Sequence, residues 1–93
     1  MVTTSEIAEK IEEIAEHYGI EAQLCQATEE LAELIVAINK YRRTGNIDNV
    51  IEEVADVEIM LSQLKYLLNI STSKIEEIKT NKIERQIERI TKE

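Results

Sequence analysis

The sequence predicts an all-α fold: an antiparallel bundle of about four helices, formed by one domain spanning residues 1–93. The chain contains no proline and only two glycines, whereas glutamate, lysine, isoleucine, leucine and alanine are abundant. Apolar residues recur at three- and four-residue spacing along most of its length, as in amphipathic helices. The interruptions between these stretches are short, and short turns between long helices favour antiparallel neighbours.

The first predicted helix begins near Thr3, which can form a capping box with Glu6, and Ser5 is a second possible cap. It ends at Gly19, a typical C-terminal stop. Its apolar face comprises Ile7, Ile11, Ile14, Ala15 and Tyr18. The second helix is predicted from about residue 21 to residue 43. Its apolar stripe comprises Leu24, Ala27, Leu31, Leu34, Ile35, Ile38 and Tyr41.

The third predicted helix follows the turn at residues 44–46 and begins at Asp48, a good N-cap residue. Its stripe comprises Val50, Ile51, Val54, Val57, Leu61, Leu64 and Leu68. The last helix is predicted to start with a capping box between Ser73 and Glu76. It carries isoleucines on one side and a basic band comprising Lys79, Lys82, Arg85 and Arg89.

Some apolar residues lie outside these stripes, notably Val36 and Ile59. A single chain of this size would therefore leave apolar surface uncovered. Small domains commonly gain the missing core by association. We expect the bundle to be completed by oligomerisation, as a homodimer or as a tetramer made of two dimers.

The formal charge is −8, which argues against nucleic acid or an anionic membrane as the main partner, since both select for basic surfaces. The one cysteine, Cys25, permits no intramolecular disulfide and fits a reducing compartment. No apolar run approaches the length of a membrane span, and the N-terminus lacks the regions of a signal peptide. We therefore expect a cytoplasmic protein.

Two acidic pairs define the candidate site. Glu30 and Glu33 lie one turn apart on the second predicted helix, and Glu53 and Asp56 repeat that spacing on the third. Both pairs flank an apolar stripe, whereas the neighbouring Glu29 points away from it. An antiparallel pair of helices would gather the four carboxylates around one point. Such a cluster is unfavourable unless a cation neutralises it.

Magnesium is the first candidate cation, because hard oxygen ligands without nearby histidine or cysteine suit a hard ion. Acidic pairs at this spacing are nevertheless common in a chain so rich in glutamate. Two of them, Glu6 with Glu9 and Glu13 with Glu16, look like ordinary solvated helix faces. Composition and spacing alone therefore support a metal site and a solvated acidic surface equally.

The residues around these pairs carry a resemblance to a known family. The run from Gln26 to Leu34, the run 53–57, the segment 37–40 and the segment 82–86 together resemble the MazG-like all-α nucleotide pyrophosphohydrolases. The similarity extends from about residue 7 to residue 90. It is closest to the small single-domain members of phages and Gram-positive bacteria.

The resemblance implies a magnesium-dependent hydrolase that splits a nucleoside or deoxynucleoside triphosphate into the monophosphate and pyrophosphate, with manganese as a substitute ion. It implies that the catalytic metal ligands are Glu30, Glu33, Glu53 and Asp56. It also implies that residues of the last helix bind the substrate phosphates: Lys82, Arg85 and Lys79. These basic side chains have an alternative role, because glutamates three or four residues away could pair with them.

One position departs from the family pattern. Several relatives stack the base on an aromatic residue one turn after the last aspartate of the motif, and here that residue is Met60. The chain has no tryptophan or phenylalanine and only three tyrosines. The preferred base is therefore open. The family also builds its site between subunits, in agreement with the expected oligomer.

Two other functions compete with this one. The chain could be a non-catalytic helical interaction module whose acidic face binds a basic partner. It could also be a metal-dependent enzyme that acts on another phosphate ester or anhydride. Magnesium-dependent thermal stabilisation separates the module from an enzyme. Pyrophosphate as the product separates the two enzymes.

Overall fold

The structure is a computed structural model that describes residues 3–93. It contains three α-helices: α1, Thr4–Thr44; α2, Asp48–Leu67; and α3, Thr72–Lys92. No strand occurs in this part of the chain. The all-α prediction is confirmed. The helices number three rather than four, because the first two predicted helices form one element, α1, whose backbone is non-helical at Gly19.

The helix starts confirm one predicted cap and correct two. Thr3 and Glu6 form the predicted capping box, with the Glu6 N–H donating to Thr3 Oγ1 over 3.1 Å. Asp48 does not cap α2: it is the first residue of the helix, its own N–H donates to Asn46 Oδ1, and the N-cap residue is Ile47, which makes no side-chain capping hydrogen bond. Ser71, not Ser73, caps α3 by accepting the N–H of Lys74, so that two further residues join the helix.

Gly19 has φ 83° and ψ 170°, a combination that is essentially restricted to glycine. Helical hydrogen bonding resumes after it because no proline follows and the next residues are helix formers. Gly19 therefore divides α1 into an N-terminal segment, residues 4–18, and a C-terminal segment, residues 20–44. The predicted stop at Gly19 changes the helix direction without ending the element.

Replacing Gly19 by alanine is expected to lower the free energy of unfolding by about 1–3 kcal/mol, the strain of a side-chain-bearing residue in this backbone region. Denaturant unfolding followed by circular dichroism measures it. Gly45→Asn is the matched control, since Gly45 has φ 75° and ψ 2°, a left-handed conformation that asparagine tolerates. If Gly19→Ala were as stable as the wild type, α1 could become straight at this position without a decrease in the free energy of unfolding.

Helices α1 and α2 pack against each other along a line that we call the α1–α2 seam. From α1 it comprises Gln23, Ala27, Glu30, Leu34 and Ala37; from α2 it comprises Val50, Glu53, Val57, Met60 and Leu64. All ten are buried or half-buried, and they recur every three or four residues. The seam therefore includes one glutamate from each helix.

The seam corrects the predicted core of α1. Of the stripe expected for the second predicted helix, only Ala27 is buried and Leu34 half-buried. Exposed instead are Leu24, Leu31, Ile35, Ile38 and Tyr41. The reason is that α1 carries apolar residues on two faces, and α2 covers the narrower one, where alanines allow close approach. The wider face is left open to solvent.

The N-terminal segment of α1 is anchored against the end of α2. Ala15 is completely buried, and the Tyr66 hydroxyl donates a hydrogen bond to Glu16 Oε1 across the two helices. That hydrogen bond to a carboxylate is the main reason why the pKa of Tyr66 is raised. The contact holds the N-terminal segment beside α2 and so forms one wall of the groove described below.

Helix α3 makes only marginal contact with the other two helices and buries none of its side chains. Its isoleucines Ile83, Ile87 and Ile90 are between 56% and 63% exposed. The Cα radius of gyration is 16.4 Å, whereas a compact domain of this length would have about 12 Å. Among the helices of residues 3–93, none has the length and apolarity needed to cross a bilayer.

Candidate metal centre

Three of the four predicted carboxylates meet across the α1–α2 seam. One oxygen each from Glu30, Glu33 and Glu53 lies within 4.8 Å of the other two. Glu30 and Glu33 project from the same side of α1 because they are one turn apart, and Glu53 approaches from α2. We call these three residues the glutamate cluster. The antiparallel arrangement thus produces the convergence expected from the spacing.

Burial distinguishes the members of the glutamate cluster. Glu30 and Glu53 are half-buried seam residues, and Glu33 is exposed. The Oε2 atoms of Glu30 and Glu53 are shielded from solvent and have no hydrogen-bond partner among the described residues. The other oxygen of Glu30 accepts a hydrogen bond from Gln26 Nε2 over 2.8 Å. One oxygen of Glu30 and one of Glu53 could therefore still bind a cation or accept a hydrogen bond.

The electrostatics of the cluster favour a proton or a cation. Desolvation raises the pKa of Glu53 above its ordinary value, and repulsion from Glu33, Asp56 and Glu30 raises this pKa further. Each of these effects penalises the charged form of Glu53. A bound cation would remove the repulsion and supply the missing partner of the shielded oxygens, and oxygen-only donors suit hard divalent ions as a class.

The raised pKa predicts how stability depends on pH. Folded Glu53 binds its proton more tightly than unfolded Glu53, so the metal-free protein gains stability as pH falls from neutral through the raised pKa. The gain is complete below the ordinary glutamate value of about 4.3. Glu53→Gln should therefore melt above the wild type at pH 7 in EDTA, and the difference should shrink as the pH falls through the raised pKa of Glu53. A difference that does not change with pH would contradict this.

Asp56 lies next to the glutamate cluster but is not one of the three residues whose oxygens converge. Its charge nevertheless contributes to the raised pKa of Glu53, and its side chain lines a groove that Glu30 also lines. Glu29 is exposed, as its predicted position on the helix requires. The structure therefore brings three predicted ligands together and leaves the fourth at their edge.

The predicted phosphate-binding residues lie on α3, and all three are exposed. Lys79 forms an ion pair with Glu76 at 3.3 Å, the alternative role considered for this band. Lys82 and Arg85 form no ion pair within residues 3–93, and neither of them lines the groove beside the glutamate cluster. In a single chain, α3 therefore does not contribute to the walls of this groove.

The groove extends from Glu30 and Asp56 between both segments of α1 and helix α2, with a volume of about 440 Å³. Its walls include Tyr18 and Met60, together with two side chains that the sequence reasoning missed, Gln23 and Gln63. Both glutamines are buried. Gln23 lies four residues before Ala27 and Gln63 three residues after Met60, a helical spacing that places each glutamine on the same side of its helix as a buried residue.

A comparison of the chain with protein-family profiles, curated proteins and solved structures found no match.

Proposed function

We propose that this protein is a magnesium-dependent nucleoside triphosphate pyrophosphohydrolase of the MazG-like kind, converting a (d)NTP and water into the (d)NMP and pyrophosphate. The observation that carries the proposal is the convergence of three glutamate oxygens within 4.8 Å, with one oxygen of Glu30 and one of Glu53 shielded and unpaired among the described residues. The motif resemblance supports it independently, since the converging residues are those that match the family's ligands.

In this proposal, Glu30, Glu33, Glu53 and Asp56 hold the ion, and Gln26 orients Glu30 through its hydrogen bond. Magnesium held by these residues would neutralise the triphosphate and make the attacked phosphorus more electrophilic. Glu33, the exposed member of the glutamate cluster, accepts the proton of the attacking water. Lys82 and Arg85, with Lys79 as a further contact, bind the outer phosphates as pyrophosphate leaves.

Those basic residues reach the substrate in an oligomer, a homodimer or a pair of dimers, where α3 packs beside a neighbouring chain. The accessible surface of one chain is 7562 Å², about 2,000 Å² more than the roughly 5,500 Å² expected for a compact monomer of 10.7 kDa. If each of two protomers buried this surplus, the dimer interface would bury about 4,000 Å² in total, which is within the range of obligate homodimers. Oligomerisation would also complete the four-helix bundle that a single chain leaves open.

The test is pyrophosphate release from a panel of NTPs and dNTPs, measured with magnesium and with EDTA. We expect release that requires magnesium, together with a melting temperature that rises with magnesium concentration by mass action. A folded oligomer that releases no pyrophosphate and is not stabilised by magnesium would favour the acidic interaction module. Release of orthophosphate alone would favour an enzyme acting on another phosphate compound.

A further inference from the structure

The groove beside the glutamate cluster contains two buried amide side chains. Gln23 is 4% exposed and Gln63 is 2% exposed, and they are the only buried polar residues of the described chain. The Oε1 atom of each is shielded from solvent and lacks a hydrogen-bond partner within residues 3–93. The two residues come from different helices, yet both line the same groove as Glu30 and Asp56.

A buried amide oxygen without a donor is unfavourable, and an apolar residue of similar size would pack as well at either position. If the glutamines served only to join α1 to α2, their amides would be expected to pair with each other or with the backbone. Neither oxygen does so. Both residues line one groove, and rotation about the terminal bond of each side chain turns its unsatisfied oxygen into that groove, where it can accept from a ligand that brings N–H donors.

We propose that Gln23 and Gln63 recognise the base of the nucleotide, and that they favour a base carrying an exocyclic amino group. This inference rests on the proposed function. The glutamate cluster would hold the triphosphate at one end of the groove, and the base would extend along the groove towards the glutamines. The groove volume of about 440 Å³ falls within the range of small-molecule sites.

The preference follows from counting donors. Two acceptor oxygens need two N–H groups, and the amino group of adenine, cytosine or guanine supplies both from one edge of the base. Uracil and thymine offer only their single ring N–H there, so one amide oxygen would stay buried and unpaired. Tyr18 and Met60 supply apolar surface for the faces of the ring.

The principal experiment compares kcat/KM for dATP, dCTP, dGTP, dTTP and dUTP in the wild type, Gln23→Met and Gln63→Met. Methionine keeps the length of the side chain and removes the amide. We expect the wild type to prefer at least one amino-bearing base over dTTP and dUTP by about tenfold or more. Either variant should lose that preference through a higher KM for the nucleotides with an amino-bearing base. Gln86→Met on α3, an exposed glutamine, is the control.

Two further measurements do not depend on turnover. Binding of deoxyadenosine, deoxycytidine and thymidine, without phosphate or metal, is followed by the NMR shifts of the side-chain amides. We expect an amino-bearing nucleoside to shift the amides of Gln23 and Gln63 and thymidine to leave them unchanged. Each Met variant should also melt several degrees higher than the wild type without ligand, since it removes an unpaired buried amide.

The outcomes separate this inference from the proposed function. Nucleosides that shift both amides in a protein that hydrolyses no nucleotide would support the recognition site and overturn the enzyme. Hydrolysis with equal use of all bases, or a preference for dUTP or dTTP, would overturn the recognition site and leave the enzyme intact. Met variants that melt lower or do not fold would show that the amides are structural, which also overturns the inference.

Discussion

Replacing Glu53 by glutamine is expected to reduce magnesium-dependent pyrophosphate release by about 100-fold or more, to the limit of detection, without loss of helicity. Loss of even a hydrogen-bond partner of a metal ligand typically costs about 10–100-fold in metal affinity or activity, so loss of a ligand should cost at least as much. Loss of a charge that acts on the reacting group adds to this. The same loss is expected for Glu33→Gln and Asp56→Asn. Steady-state assays across a range of magnesium concentrations measure the effect.

The Glu53 variant should at the same time melt above the wild type in EDTA, because it removes a carboxylate that is desolvated and repelled by its neighbours. Magnesium should reverse the order, since only the wild type would be strongly stabilised by binding. Glu29→Gln is the matched control: it removes one negative charge from an exposed position beside the cluster. Lost helicity in Glu53→Gln, or equal loss of activity in Glu29→Gln, would contradict a ligand role.

Ile35→Lys is expected to dissociate the proposed oligomer into monomers and to abolish the proposed activity with it. Ile35 is 61% exposed in the single chain, and the adjacent Val36 is 66% exposed. An isolated monomer would therefore tolerate lysine at position 35 within about 0.5 kcal/mol. In an interface the ammonium group would have to be buried without a partner, which costs several kcal/mol. Sedimentation velocity and the pyrophosphate assay test both effects.

The control for this variant is Ile35→Val, which keeps an apolar side chain at the same position. We expect this variant to remain oligomeric and active, and to lose no more than about 0.5–1.5 kcal/mol of stability. Should Ile35→Lys remain oligomeric and active, the open face of α1 would not be the interface. If the wild type sediments as a monomer and still hydrolyses substrate, helix α3 of a neighbouring chain is not required for binding the substrate phosphates.

The helical elements follow from local physics, and most of them could be predicted. The Thr3–Glu6 capping box, the break at Gly19 and the turn at Gly45 depend only on residues close together in the chain. The N-terminal residues of the helices were harder to predict where two side chains that can accept a hydrogen bond lie close together in the sequence. Ser71 caps α3 in place of Ser73, and Asn46 accepts the N–H of Asp48, the residue that was predicted to cap α2.

The core could not be predicted as well, because α1 carries two apolar faces and helical periodicity does not say which one meets α2. Ile35 belongs to the stripe that looked most like a core, yet it is exposed. Gln23 and Gln63 belong to none of the predicted apolar stripes and are buried. The apolar pattern of α1 is compatible with burial of either face, and only the position of α2 shows which face is buried.

By itself, the sequence determined that the chain is helical, where its helices bend and turn, and that Glu30 and Glu33 share one side of α1 while Glu53 and Asp56 share one side of α2. These properties depend on rise and rotation per residue within a helix. Only the tertiary structure decided that Glu30 and Glu53 lie in the seam itself, that Asp56 lies at the edge of the cluster, and that two glutamines line the adjoining groove. Contacts between helices depend on which faces pack and how closely, and those are properties of the assembled pair.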